Sequence, residues 1–238
     1  MTDTNNMKHT ITVISDTHTQ HKLLDLPGGD TLIFAGDLMN NGHSVYEVHD
    51  FLRWFMSQDY DNLIFIAGNH EKRFEDNPED TAEILKEYED LVTYLQDNSC
   101  IISNEEGESF NIYGSPWQPE FYNWAFNLPK DGAELTAKWE AIPDNTDILV
   151  THGPPYGILD TSGHPYNETG LGCAILRKRV DLIKPKIHIF GHIHGSYGHE
   201  KINGTHFINA SVLNEQYKQT NKPITFEWDI ENNNIHII

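Results

Sequence analysis

Cysteine is nearly absent from this chain: Cys100 and Cys173 are the only two in 238 residues, and they do not form a CxxC spacing. That scarcity excludes a disulfide framework and a thiolate metal site, and two cysteines in a chain this long read as reduced thiols in a cytoplasmic protein. No apolar stretch approaches membrane-spanning length, and MTDTNNMKHT lacks the basic-then-apolar pattern of a secretory signal, so no membrane partner is expected. Positive charge is also scarce. Lys and Arg number 16 against 36 Asp and Glu, a formal charge of −20, and only Arg53, Arg73, Arg177 and Arg179 carry a guanidinium. Duplex nucleic acid and anionic membranes are bound by Lys and Arg neutralising phosphates, so neither is an expected partner. The length suits one large domain: residues 1–8 read as a flexible tail and 9–238 as a single domain.

What the chain does have is a rhythm. Five short apolar runs each end on residues able to bind a hard divalent metal: ITVISDTH (Asp16, His18), TLIFAGD (Asp37), NLIFIAGNH (Asn69, His70), DILVTHG (His152) and IHIFGHIH (His192, His194). In open α/β sheets, ligands gather beyond the carboxyl ends of strands, so residues distant in sequence can converge there. The pattern describes a preassembled polynuclear metal site, and hence an enzyme.

The intervening segments alternate. VYEVHDFLRWFMSQ places Phe51, Leu52 and Phe55 at helical spacing, and PEDTAEILKEYEDLVTYLQD reads as one acidic helix opened by Pro78 and Asp80. CIIS and FNIYGS read as strands joined by the turn EEGE, while DGAELTAKWEAI and GCAILRKRVDLIKP read as helices. EKI and THFINAS form a hairpin about Asn203-Gly204, followed by the strands PITFEWDI and NIHII. Layered sheets flanked by helices follow. The Pro-rich stretch 115–129 has no clean period, and its aromatics read as a wall beside the site rather than as core.

The spacings suit metal chemistry. Asp16 and His18, like His192 and His194, are two apart and share a side on an extended backbone. Asn69 and His70 are adjacent and point apart, as a metal ligand beside a proton donor requires. The carboxylate of Asp37 has two oxygens with which to bridge two cations, and the glycines before Asp37, Asn69 and His192 and after His152 allow close backbone approach. Two divalent cations against two carboxylates and a hydroxide leave a net positive charge that attracts a phosphate ester. Two-metal sites with ions about 3.5–4 Å apart generate such a nucleophile near neutral pH. Oxygen and imidazole ligands favour Mn, Fe, Mg or Zn.

In this order, DTH, GD, GNHE, THG and GHIH resemble the blocks of the calcineurin-like metallophosphoesterase superfamily. YGSPWQP, THGPP, GHIHGSYG and INAS are further similar to its small metallophosphoesterase-domain-containing branch. The resemblance implies a four-layer αββα sandwich of two mixed β-sheets flanked by helices. It also implies two divalent metal ions, manganese first among the candidates, with Asp16, His18, Asp37 and His194 on one and Asp37, Asn69, His152 and His192 on the other. His70 then protonates the leaving alkoxide after in-line attack by a metal-bound hydroxide, and Glu71 orients His70. Two departures bear on substrate: LMNNG follows GD without the phosphate-binding arginine of the protein phosphatases, and Gly195 stands after GHIH where relatives often carry an acid.

A phosphomonoester dianion usually calls for fixed cations, so four arginines favour a singly charged small diester, such as a cyclic nucleotide. A phosphomonoesterase is the alternative reading. A nuclease, or a non-catalytic metal-bound scaffold, ranks lower, since the first needs a basic groove and the second has no use for His70.

Overall fold

A computed structural model describes residues 8–103 and 107–238. The expected N-terminal tail, apart from Lys8, and the first two residues of the EEGE turn lie outside the described residues. Two six-stranded sheets form the frame. The first contains β1 (His9–Ile14), β2 (Gly29–Ala35), β3 (Tyr60–Ile66), β4 (Val92–Tyr94), β13 (Ile224–Asp229) and β14 (Asn234–Ile237), in the order β14-β13-β1-β2-β3-β4. The second contains β5 (Asn98–Ser103), β6 (Ser109–Ser115), β9 (Ile148–Thr151), β10 (Ile187–Phe190), β11 (Gly198–Ile202) and β12 (Thr205–Asn209), in the order β11-β12-β10-β9-β6-β5. A two-residue pair, β7 (Gln118–Pro119) and β8 (Asn127–Leu128), clips the aromatic segment together.

Alternation along the central strands decides the layering, because successive side chains leave a strand on opposite faces. Ile11, Val13, Ile33, Ala35, Ile64 and Ile66 of the first sheet meet Ile112, Ile148, Val150, Ile187, Ile189 and Ile208 of the second in a shared core. Their neighbours Leu32, Phe34, Leu63 and Phe65 face outward, against Val48, Phe51, Leu52 and Phe55 of α1 (Val45–Phe55) and Ile84 of α3 (Pro78–Lys86). On the far side, Tyr113, Leu149, Phe190 and Phe207 pack on Leu135 and Trp139 of α4 (Ala133–Glu140) and on Leu176 and Val180 of α5 (Ala174–Ile183). The result is the four-layer αββα sandwich with mixed sheets. A short α2 (Lys72–Asp76) follows the third apolar run.

Strands β1, β2 and β3 run parallel, as do β6, β9 and β10. Their carboxyl ends therefore lie along one rim, where all five ligand-bearing loops begin. One expectation needs correction: the acidic helix does not run through 78–97 but stops at Lys86, and Val92–Tyr94 join the first sheet beside β3. Val, Thr and Tyr are better strand than helix formers, and pairing with Leu63–Phe65 outweighs the helical pattern of the preceding turns. At the opposite end, Asn203 (φ 52°) and Gly204 (φ 94°) make the expected tight turn between β11 and β12.

Candidate metal centre

The side chains of Asp16, His18 and His194 converge so that one ligand atom from each lies within 4.8 Å of the others. The same holds for His18, Asp37 and His70, and for Asp37, His152 and His192. Asp37 belongs to two of these groups. Its Oδ2 lies 3.6 Å from His18 Nε2 and 3.3 Å from His152 Nε2, while Asp16 Oδ1 lies 3.3 Å from His194 Nε2. Asn69 joins on the His152 side, its Oδ1 2.9 Å from His152 Nε2. The adjacent pair is thus split as expected, with Asn69 by His152 and His70 by His18.

The loops reach this arrangement through unusual backbone. Asp16 (φ 55°), His18 (φ 40°), Asp37 (φ 63°) and His192 (φ 66°) all occupy the left-handed region, which side chains other than Gly, Asn and Asp seldom adopt. The shared direction of Asp16 and His18 therefore comes from a tight turn and not from extended alternation. Strain of this kind persists where surrounding contacts over-determine it. Here Asp16 accepts from Ser15 Oγ (2.5 Å), Ser211 Oγ (2.8 Å) and the His192 amide (3.1 Å).

Each of four imidazoles is held through Nδ1 by a main-chain carbonyl: His18 by Met39 (3.0 Å), His152 by Ala35 (2.9 Å), His194 by Asn214 (3.1 Å) and His70 by Asn40 (2.7 Å). A proton on Nδ1 leaves Nε2 as the free lone pair, the arrangement typical of metal-ligating histidines. His18 Nε2 is buried without a hydrogen-bond partner among the described residues. A cation would satisfy it. With one amide oxygen, two carboxylates and imidazole nitrogens but no thiolate, the donor set fits hard or borderline divalent cations.

The cluster's own charges are poised. Burial is the largest single influence on His152 and His194 and pulls both down, but the two carboxylates and a backbone carbonyl together outweigh it, Asp37 foremost at the first and Asp16 at the second, raising each to about 9. His192, where burial and the neighbouring His152 act together, falls to about 3. Burial would raise both carboxylates, yet the imidazoles hold Asp16 and Asp37 well below the usual range. Without metal, protons on His152 and His194 balance the two carboxylates. Cations would take that place.

Residues 9–196 match the family model for the calcineurin-like phosphoesterases. Human metallophosphoesterase domain-containing protein 1 is 39% identical over 236 residues, covering 90% of this chain and 69% of its own length. The chain belongs to the calcineurin-like phosphoesterase family. As a member it is a metal-dependent phosphoester hydrolase. Two crystal structures share the fold: TT1561 of Thermus thermophilus (TM-score 0.62, 13% identity, 98% of this chain and 99% of that one) and the phosphopantetheinyl hydrolase PptH of Mycobacterium tuberculosis (0.57, 16%, 88% and 91%).

Several features of this phosphoesterase depart from the reading of its sequence. Glu71 does not supply the contact on His70. Its carboxylate accepts the amides of Gly68 (2.5 Å), Asp37 (2.8 Å) and Met39 (2.9 Å), pinning the second and third ligand loops together, while Asn40 holds the His70 ring. Burial, joined by the nearby Asp37, pushes Glu71 up to about 8 against those amides. Of the glycines, Gly36 (φ 96°) is essential, since a Cβ there would stand 2.5 Å from His152 Nδ1. A Cβ on Gly191 would run into Ser15 Oγ and the Asp16 carboxylate. Gly153 has room, with Gln118 3.8 Å away, so close approach is not its role.

The aromatic segment divides. Phe126 is buried and Trp117 packs against it at 5.3 Å, so these two are core, whereas Phe121 and Tyr122 are exposed at the rim. Phe121 meets the His192 ring edge-on at 5.4 Å, and Trp124 stacks on His70. Tyr217 was not legible as a site residue: it lies after the last motif, yet its ring stands 4.8 Å from His18 and 5.3 Å from His194. Nor was Glu215, whose Oε1 accepts the amides of Gly163 (2.7 Å) and Gly195 (3.1 Å). Gly195 packs so tightly on Gly163 that no side chain fits there. His43 and His164 are exposed, and His188 bonds Thr151 Oγ1 at 2.9 Å inside the second sheet, a structural contact.

Proposed function

We propose that this chain is a dinuclear metal-dependent phosphodiesterase acting on a small diester of nucleotide type, with residues 9–238 as one catalytic domain. The observation that carries the reading is the carboxylate of Asp37, which faces His18 on one side and His152 on the other. A single bridging carboxylate between two imidazole groups is the requirement for two neighbouring cations. In this reading Asp16, His18, Asp37 and His194 hold the first and Asp37, Asn69, His152 and His192 the second, with manganese as the expected ion. When bound, the pair lowers the pKa of a water and neutralises charge on the phosphate.

The chain's own residues do the rest. His70 is clasped at Nδ1 by Asn40, so its other nitrogen faces the cluster and can give a proton to the leaving oxygen. Phe121 and Tyr122 offer an exposed aromatic rim for a base or aryl group. Three of the four arginines are spent on surface carboxylates, Arg73 on Asp80, Arg177 on Asp181 and Arg179 on Asp144, and Arg53 lies on the exposed face of α1. No guanidinium among them is directed at a dianionic phosphate, which supports a diester over a monoester. The free thiols of Cys100 and Cys173 suit a reducing, cytoplasmic setting.

The test is metal analysis of protein purified without chelator, followed by turnover of bis(4-nitrophenyl) phosphate and 4-nitrophenyl phosphate with added Mn²⁺. Two equivalents of metal and a preference for the diester are expected. One equivalent would remove the dinuclear assignment, and faster monoester turnover would make the protein a phosphatase.

A further inference from the structure

Trp124 lies outside every ligand-bearing motif, yet its indole covers one face of the His70 imidazole, with centroids 4.1 Å apart and planes 23° from parallel. The same imidazole also meets the His18 ring in a T-shaped contact, centroids 4.5 Å apart and planes at 78°. In its own plane the ring is fixed by Asn40 at Nδ1. Three contacts thus define its orientation, and Trp124 provides the broadest. The indole is itself held. The amide of the next residue, Ala125, donates to the carbonyl of Asn69 (2.9 Å), and that of Phe126 donates to Glu75 (3.0 Å). Asn127 closes the loop, its Nδ2 donating to the carbonyls of Phe121 (3.1 Å) and Tyr122 (2.9 Å). The aromatic segment is therefore tied by main chain to the very loop that carries His70.

We propose that Trp124 is a positioning residue: it orients His70 for proton delivery to the leaving group. This deepens the phosphodiesterase reading and rests on it. In the step concerned, water oxygen forms the new bond to phosphorus and the bond from phosphorus to the leaving oxygen breaks with its electron pair. The leaving oxygen takes the proton of the His70 imidazolium, and the proton lost by water passes to solvent. One indole face is occupied by His70, so Trp124 differs from Phe121 and Tyr122, whose rings remain open to substrate.

The test uses methyl aryl phosphates whose leaving groups run from 4-nitrophenol to phenol, with the variants W124A, W124F, H70A and W124A/H70A in Mn²⁺-loaded protein. A misplaced acid matters most where the leaving group is most basic. W124A should lower kcat by about tenfold on the phenyl ester and several-fold less on the nitrophenyl ester, with W124F retaining most of the rate. H70A should show the same trend more strongly, and the double variant should be no slower than H70A, since the two act through one proton. In metal-free protein the His70 ring resonances should lose their upfield ring-current shift in W124A, independently of turnover. Equal losses on all esters, or losses that multiply in the double variant, would overturn the positioning role while leaving the hydrolase intact. If H70A itself were insensitive to the leaving group, the acid role would fall and this inference with it. W124F keeps an aromatic face in the loop, so it decides the matter even if W124A folds poorly.

Discussion

At the scale of single residues, the proposed mechanism separates holding metal from moving protons. Asp37 and His70 touch, the His70 amide donating to Asp37 Oδ1 at 2.8 Å, yet their side chains have different tasks. Replacing Asp37 by Ala removes the shared carboxylate and leaves His18 and His152 facing one another. Metal content should fall below one equivalent and turnover should be lost. Replacing His70 by Ala should leave metal content unchanged and lower kcat by about 10²–10⁴-fold. Metal analysis beside steady-state kinetics checks both, and H70A with unchanged kcat would exclude the acid role. Most of the residues that the fold gathers here were legible from the motifs, because a side chain's capacity to bind a cation is a property of its type and not of its surroundings. Glu71 was not. The resemblance implied a contact with His70, whereas the fold directs the carboxylate to three main-chain amides.

At the scale of elements, strand identity follows from local patterning, but the loops' strained turns depend on what they pack against. Gly191 links β10 to His192, and a methyl group there would displace Ser15 or the Asp16 carboxylate. Gly191→Ala should destabilise the fold by about 1–3 kcal/mol and weaken metal binding, read from denaturant midpoints and metal titration. A second prediction concerns β10 itself. His188 is fully buried, and burial lowers it to about 3, so the unfolded chain binds the extra proton first. Stability is then complete above the unfolded value near 6.5 and is lost as pH falls toward 3. In metal-free protein, His188→Leu should abolish this component, reducing the loss of stability between pH 7 and pH 5 by about 2 kcal/mol, measured by urea unfolding. An unaltered pH dependence would mean that His188 is hydrated. The helix boundary at Lys86 also belongs to this scale: apolar period marked a helix, and only the partner strand β3 shows why Val92–Tyr94 leave it.

At the scale of the whole molecule, the candidate centre sits between the sheets. Asp16, His18, Asp37 and Asn69 follow strands of the first, and His152, His192 and His194 follow strands of the second. Cations there would cross-link the two halves of the shared core. Because the ligand set exists only in the folded chain, saturating Mn²⁺ at about 100 times its Kd should add about 2.7 kcal/mol per site. For a domain of this size that is a rise in Tm of about 5–11 °C per site, reversed by chelator and measured by calorimetry. A Tm indifferent to both would contradict cross-linking.

The sequence by itself determined the chemistry and the order of the strands that present it, since residue type and two-residue alternation are local properties written along the chain. It also carried the family, because five short motifs keep their order whatever the loops between them do. Only the tertiary structure decided which ligands share a neighbour, that Glu71 braces backbone, and that Trp124 and Tyr217 border the histidines. Those facts depend on the approach of segments from opposite ends of the chain, as when Tyr217 meets His18 and Ser211 meets Asp16, and no local pattern encodes such an approach.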